Sequence, residues 1–179
     1  MIRTLLFALF ALSLQAHAAV VSFNSSSITV TEGTTFEIAV EGTGFDMALD
    51  GGGLNLEIED PAVLQILDVV IDGDTWDLEI SDVGDIDDAA GTVDGTSFAH
   101  APPVTGDFPI LVYQFVASRV GTTSLMLTEF DGSPFTSGLD EVALSFPVIG
   151  TVHVIPEPAA AWMLAAGLGL LALLRIRRT

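Results

Sequence analysis

Residues 35–40 read Thr-Phe-Glu-Ile-Ala-Val, and residues 54–59 read Leu-Asn-Leu-Glu-Ile-Glu. Both alternate apolar and polar side chains with a period of two. An extended backbone turns that spacing into one buried face and one wet face. Phe36, Ile38 and Val40 share the inward face of the first stretch. Leu54, Leu56 and Ile58 share that of the second, with Glu57 and Glu59 outward. Neither stretch has the i, i+3, i+4 spacing of an amphipathic helix.

Working outward, further strands are expected at 20–23, 27–31, 64–71, 110–118, 122–128 and 148–155, and at 76–80 with Trp76, Leu78 and Ile80 inward. Gly, Asp, Asn and Pro clusters separate them. About nine short strands, each with one polar face, predict an all-β fold: a two-sheet antiparallel sandwich over residues 19–155. Its core should hold Phe36, Ile38, Val40, Leu56, Ile58, Leu125 and Leu127. Two places break the rhythm. Gly51-Gly52-Gly53 predicts a loop or bulge, because glycine loses most backbone freedom in a strand and packs nothing there. Residues 81–109 carry Asp85, Asp87, Asp88, Asp94 and Pro102-Pro103, and read as a long connection or lid, with a brief strand at Ser97-Phe98-Ala99.

The order of these segments, with Ile58-Glu59-Asp60-Pro61-Ala62-Val63-Leu64 closing one strand and opening the next, resembles the cohesin-like domains of secreted bacterial proteins. Their L-x-Y-D-P-x-x-L element is matched at Asp60, Pro61 and Leu64, with Glu59 where tyrosine is usual. Their later G-T-x-x-L element is matched at Gly121, Thr122 and Leu125. The resemblance implies a nine-stranded jelly roll and a binding role toward carbohydrate or protein. Both elements are also plain strand punctuation: a proline ends a strand, and Gly-Thr makes a turn.

The two ends read as addresses. Met1-Ile2-Arg3, the apolar run 5–14 and Ala16-His17-Ala18 form a charged n-region, a short h-region and a small-x-small cleavage site. A signal peptide over residues 1–18, cut after Ala18, is therefore expected. At the other end, residues 159–174 are uncharged, about 24 Å of helix at 1.5 Å per residue, and Arg175, Arg177 and Arg178 follow. A transmembrane helix with a cytoplasmic C-terminus is expected, with Arg175 snorkelling and Trp162 at the opposite interface. A plain anchor does not need Pro156-Glu157-Pro158 ahead of it. Two prolines hold that tripeptide extended and exposed at the membrane surface. The tripeptide, the short helix and the Arg175, Arg177 and Arg178 cluster together resemble the PEP-CTERM sorting signal over residues 156–179. The resemblance implies an exosortase-type processing enzyme as partner, a transient stay in the inner membrane, and release to the cell envelope or an exopolysaccharide matrix.

Composition narrows the function. All 24 carboxylates lie between Glu32 and Glu157, against the single Arg119 in that span, so the exported part carries about −23. Such a field repels nucleic acid and anionic lipid. Cysteine is absent, which removes disulfides, thiol nucleophiles and thiolate metal sites. After signal removal only His100 and His153 remain; His153 sits between inward Val152 and Val154 and should face solvent. None of the familiar serine-hydrolase, zinc-protease or phosphate-loop motifs is present. The aspartates at 82, 85, 87, 88 and 94 crowd one loop with the oxygen ligands that calcium takes, yet miss EF-hand spacing; a solvated acidic loop is expected, with calcium binding as the alternative. The expectation is a protein without cofactor or catalytic site, binding a polysaccharide or a surface protein through a sheet face or its loops. The alternative is a secreted polysaccharide-acting hydrolase with an unrecognised carboxylate site.

Overall fold

The computed structural model describes residues 19–146 and 150–157, and no helix occurs among them. Eleven strands follow in chain order: β1 (Ala19–Phe23), β2 (Ser27–Thr31), β3 (Thr35–Ile58), β4 (Leu64–Ile71), β5 (Asp85–Asp87), β6 (Thr92–Ala117), β7 (Gly121–Glu129), β8 (Thr136–Ser137), β9 (Asp140–Glu141), β10 (Leu144–Ser145) and β11 (Gly150–Ile155). The expected signal peptide and the expected transmembrane helix lie outside the described residues.

Two strands organise the sandwich. β3 and β6 run antiparallel to each other from Thr35↔Val116 to Glu57↔Thr92. Their first stretch, residues 35–42 against 108–116, sits between β4 and β1, with β10 beyond. Their second stretch, residues 51–57 against 92–99, sits between β5 and β7, with β11 and β2 beyond. The two layers are thus halves of one continuous hydrogen-bonded sheet folded over a single core. Bulges make the fold. Between Gly42↔Phe108 and Gly51↔Ala99 the register shifts repeatedly, and residues 100–103 stand opposite Asp50 alone. An inserted residue bends and twists its strand, so a run of them turns both strands through the corner between layers. Pro102-Pro103 falls in that bulge, where prolines forfeit no ladder bond.

Several expectations are corrected here. Nine short strands become eleven, two of them long. The pairing is not wholly antiparallel, since β1 lies parallel to β10 and β2 parallel to β11. Residues 81–109 are not one long connection: most of them are β5 and the first part of β6. Gly51-Gly52-Gly53 is not a loop but a buried strand interior, and the expected bulge lies just ahead of it, between Leu49 and Gly51. A β-carbon on Gly52 would stand 2.6 to 2.8 Å from the Phe135 ring, and one on Gly51 would stand 2.3 Å from the Phe98 carbonyl oxygen. The glycines are there because nothing larger fits, which local propensity cannot report.

Ile38, Val40, Leu56, Ile58, Leu125 and Leu127 are buried as expected, while Phe36 is half-buried and packs on Phe115. Residues 76–80 are turn rather than strand. Asp72 starts it, accepting from the Thr75 amide on its carboxylate and from the Trp76 amide on its carbonyl. Trp76 turns inward, while Leu78 and Ile80 are 60% and 62% exposed. At the Asp-Pro element, the Asp60 carboxylate accepts from the Ala62 amide at 3.1 Å and pairs with Arg119 at 2.8 Å. The single cation between Glu32 and Glu157 is therefore engaged on an exposed turn.

Candidate binding surfaces

The outer face of the second layer is largely polar. Alternation along β7 sends Leu125 and Leu127 inward and Thr122, Ser124, Met126 and Thr128 outward. In β11, Val152 and Val154 point inward and His153 outward, as its position in the sequence implied. Register then assembles rows across the face. Ser27, Thr151 and Ser124 form one; Thr29, His153 and Thr122 form the next. Thr122 Oγ1 and His153 Nδ1 lie 2.9 Å apart. On β7's other side Met126 stands opposite Glu57. Glu57, Glu59, Ser124 and Met126 surround a shallow depression of about 340 Å³. Met126 is the exposed apolar side chain of its lining, 42% accessible beside a hydroxyl and two carboxylates.

A second surface runs along the margin of this layer. The Asp77 amide donates to the Ala99 carbonyl, Asp82 bridges Ser97, and β5 pairs with residues 92–94 of β6. Residues 77–87 therefore form the outermost strip of the layer, carrying Asp77, Glu79, Asp82, Asp85 and Asp87 exposed. Several carboxylates here serve the local backbone. Asp82 accepts from the Gly84 amide, Asp87 from the Ala90 amide, and Asp88 from the Ile66 amide at 2.7 Å. Among the described residues no three acidic or histidine side chains converge on a point where a cation would sit. Calcium chloride and sodium chloride at matched ionic strength should raise the melting temperature equally, by screening self-repulsion. An extra, saturable shift with calcium would reveal a site instead.

Other side chains with aromatic or acid–base chemistry are placed elsewhere. Trp76 and Tyr113 are both buried, so neither is a platform for a ligand. Burial pushes the Tyr113 hydroxyl well above the usual phenol range, offset in part by the neighbouring Thr96. It makes no hydrogen bond of standard geometry. His100 lies in β6 with Nδ1 3.7 Å from the Asp77 carboxylate, beyond hydrogen-bond distance. Of the sorting residues, Pro156 and Glu157 are exposed and follow the end of β11; Pro158, Arg175, Arg177 and Arg178 lie outside the described residues. Sequence reasoning missed the margin strip as an element. Its one signal was Leu78, Ile80, Val83 and Ile86 interleaved with acids, a mixed spacing of two and three that fits neither strand nor helix.

No protein-family model matches the chain, and no curated protein does. Solved structures do. A chain of a type I cohesin–dockerin complex from Clostridium thermocellum superposes with a TM-score of 0.64 at 11% identity, covering 78% of this chain and 100% of that one. A type I cohesin from Pseudobacteroides cellulosolvens gives 0.60 at 12% identity, covering 78% and 94%. A non-cellulosomal cohesin from the archaeon Archaeoglobus fulgidus gives 0.54 at 15% identity, covering 82% and 98%. At such identities the likeness is one of fold: these residues build a cohesin-like β-sandwich.

Proposed function

We propose that this protein is a non-catalytic binding or adhesion module of the bacterial envelope or extracellular matrix, whose partner is another protein. The observation that carries this reading is the fold, shared with cohesins solved in complex with dockerin domains. The outer face of β7, β3 and β11 supports it, since a shallow depression lined by an exposed apolar side chain among polar ones suits protein contact better than enclosure of a small substrate. A photoreactive residue in place of Met126 should crosslink to a protein in the native host. Saturable binding of the purified protein to a glycan array, without a protein adduct, would move the reading to polysaccharide.

Delivery in this proposal uses both ends of the chain: export by the signal peptide, then processing at Pro156-Glu157-Pro158 by an exosortase-type enzyme. Glu157 and Pro156 stand exposed just past the last strand, which suits access by a protease. Replacing the tripeptide by alanines leaves the apolar run and arginines unchanged, so membrane insertion should persist. Release should be abolished. Mass spectrometry of the mature wild-type protein from an exosortase-bearing host is the direct check. A C-terminus still ending at Thr179 would make the segment a permanent anchor.

A further inference from the structure

The margin strip of residues 77–87 has a composition that its position does not require. Leu78 and Ile80 are 60% and 62% exposed, and Val83 and Ile86 are 40% and 39% exposed, so four large apolar side chains reach solvent within nine positions. β5 pairs only with β6, so no strand continues the ladder on the strip's other side among the described residues. Margins of this kind invite pairing with another chain, and natural sheets blunt them with charge. Here the charge has one sign: Asp77, Glu79, Asp82, Asp85 and Asp87 alternate with the apolar residues. A second copy of this chain would bring carboxylates against carboxylates, and with about −23 between Glu32 and Glu157, from 24 carboxylates and the single Arg119 of that span, it would be repelled at long range as well. Anionic lipid and nucleic acid are repelled for the same reason. Aliphatic side chains also lack the flat ring that stacks on a sugar.

What complements aliphatic groups spaced among carboxylates is a protein surface with aliphatic groups spaced among lysines or arginines. We propose that residues 77–87 are a docking strip for a cationic, apolar-bearing segment of a partner protein. This rests on the reading of the domain as a protein-binding module and names an edge of the sandwich for it, separate from the face around Met126. Apolar contact would supply the hold, and the opposed charges would set the encounter rate and reject acidic partners.

The test uses the full-length protein in mild detergent and two short synthetic peptides, one of alternating lysine and valine, one of alternating lysine and serine. Fluorescence anisotropy should show the lysine–valine peptide bound at least about tenfold more tightly, a difference of about 1.4 kcal/mol. The L78S/I80S variant should lose that preference while keeping its melting temperature, because both side chains are exposed in the folded state. D77N/D85N, as a second variant, should weaken binding and flatten its salt dependence. An unchanged preference in L78S/I80S overturns the proposal, as does binding of neither peptide. Loss of binding in M126S alone also overturns it, but leaves the protein-binding reading standing on the sheet face. Sedimentation of the wild type as a dimer disrupted by L78S/I80S would assign the strip to self-association and likewise overturn it.

Discussion

Gly51→Ala is expected to destabilise this protein by about 3 kcal/mol, the upper end of what overpacking costs. The expectation from chain entropy has the opposite sign, because alanine restricts the unfolded chain and normally stabilises by about 0.4–1 kcal/mol where its conformation fits. The difference lies in what the new methyl would meet. At Gly51 it would stand 2.3 Å from the Phe98 carbonyl oxygen and 2.9 Å from the Ala99 α-carbon, both backbone atoms of the paired strand. A side chain can swing aside; a paired strand cannot without breaking its ladder. At Gly52 the methyl would collide with the Phe135 ring, which is fully buried and has no free space to move into. Gly121→Ala is the control, because its contact is a branch of the Val63 side chain at 3.0 Å. Urea unfolding should place Gly51→Ala and Gly52→Ala far below the wild type in midpoint, and Gly121→Ala close to it. Equal midpoints for all three would mean that residues 51–53 do not lie in a packed strand.

Trp76→Ala should cost about 3–5 kcal/mol, the usual range for deleting a buried tryptophan. Trp76 packs against Phe98 with centroids 4.5 Å apart and planes tilted by 55°, and meets Phe108 edge-on at 5.4 Å. Its indole Nε1–H donates to the Pro109 carbonyl oxygen at 3.0 Å. Phe45 and Phe135 complete the cluster, each in contact with one of those phenylalanines. These rings fill the corner where β3 and β6 pass from one layer to the other, the region with the fewest regular ladder bonds. The cavity would therefore open where backbone pairing can least compensate. Trp76→Phe should recover most of the loss, falling short by about 1 kcal/mol for the missing hydrogen bond. Against a total stability of about 5–15 kcal/mol, typical of a single domain, the alanine variant would be marginal. Near-ultraviolet circular dichroism and a melting curve measure both. If Trp76→Ala melts with the wild type, the tryptophan is not a core residue.

The strand alternation at residues 35–40, 54–58, 64–71 and 122–128 was enough to specify an all-β fold for the described residues and to sort Ile38, Val40, Leu56, Ile58, Leu125 and Leu127 inward. Those contacts are dictated by a local period: each side chain's face follows from its neighbours two positions away. His153 between two inward valines is legible in the same way. The glycine triplet and residues 81–109 were misread because their strand character is not local. Gly51-Gly52-Gly53 is held extended by Phe135 and by the strand at 96–99, more than forty positions on, and glycine's own preference argues against it. Trp76, Leu78 and Ile80 show the period of a strand, yet Asp72 bends the backbone into a turn that buries the first and exposes the other two.

The candidate surfaces divide similarly. Net charge and the absence of cysteine are properties of the chain, so no tertiary contact is needed to read them, and the two proposed terminal addresses rest on the chain alone. The rows of hydroxyls around His153, the depression beside Met126 and the exposed strip at 77–87 depend on which strands become neighbours. Pairing between β2 and β11, or between residues 77–87 and β6, joins segments whose sequences carry no mark of one another. The sequence by itself determined the element type and the buried face of each regular strand, because both follow from alternation along one backbone. Only the tertiary structure decided where two long strands bend between layers, what the glycines make room for, and which side chains share a surface, because those depend on steric fit between distant segments.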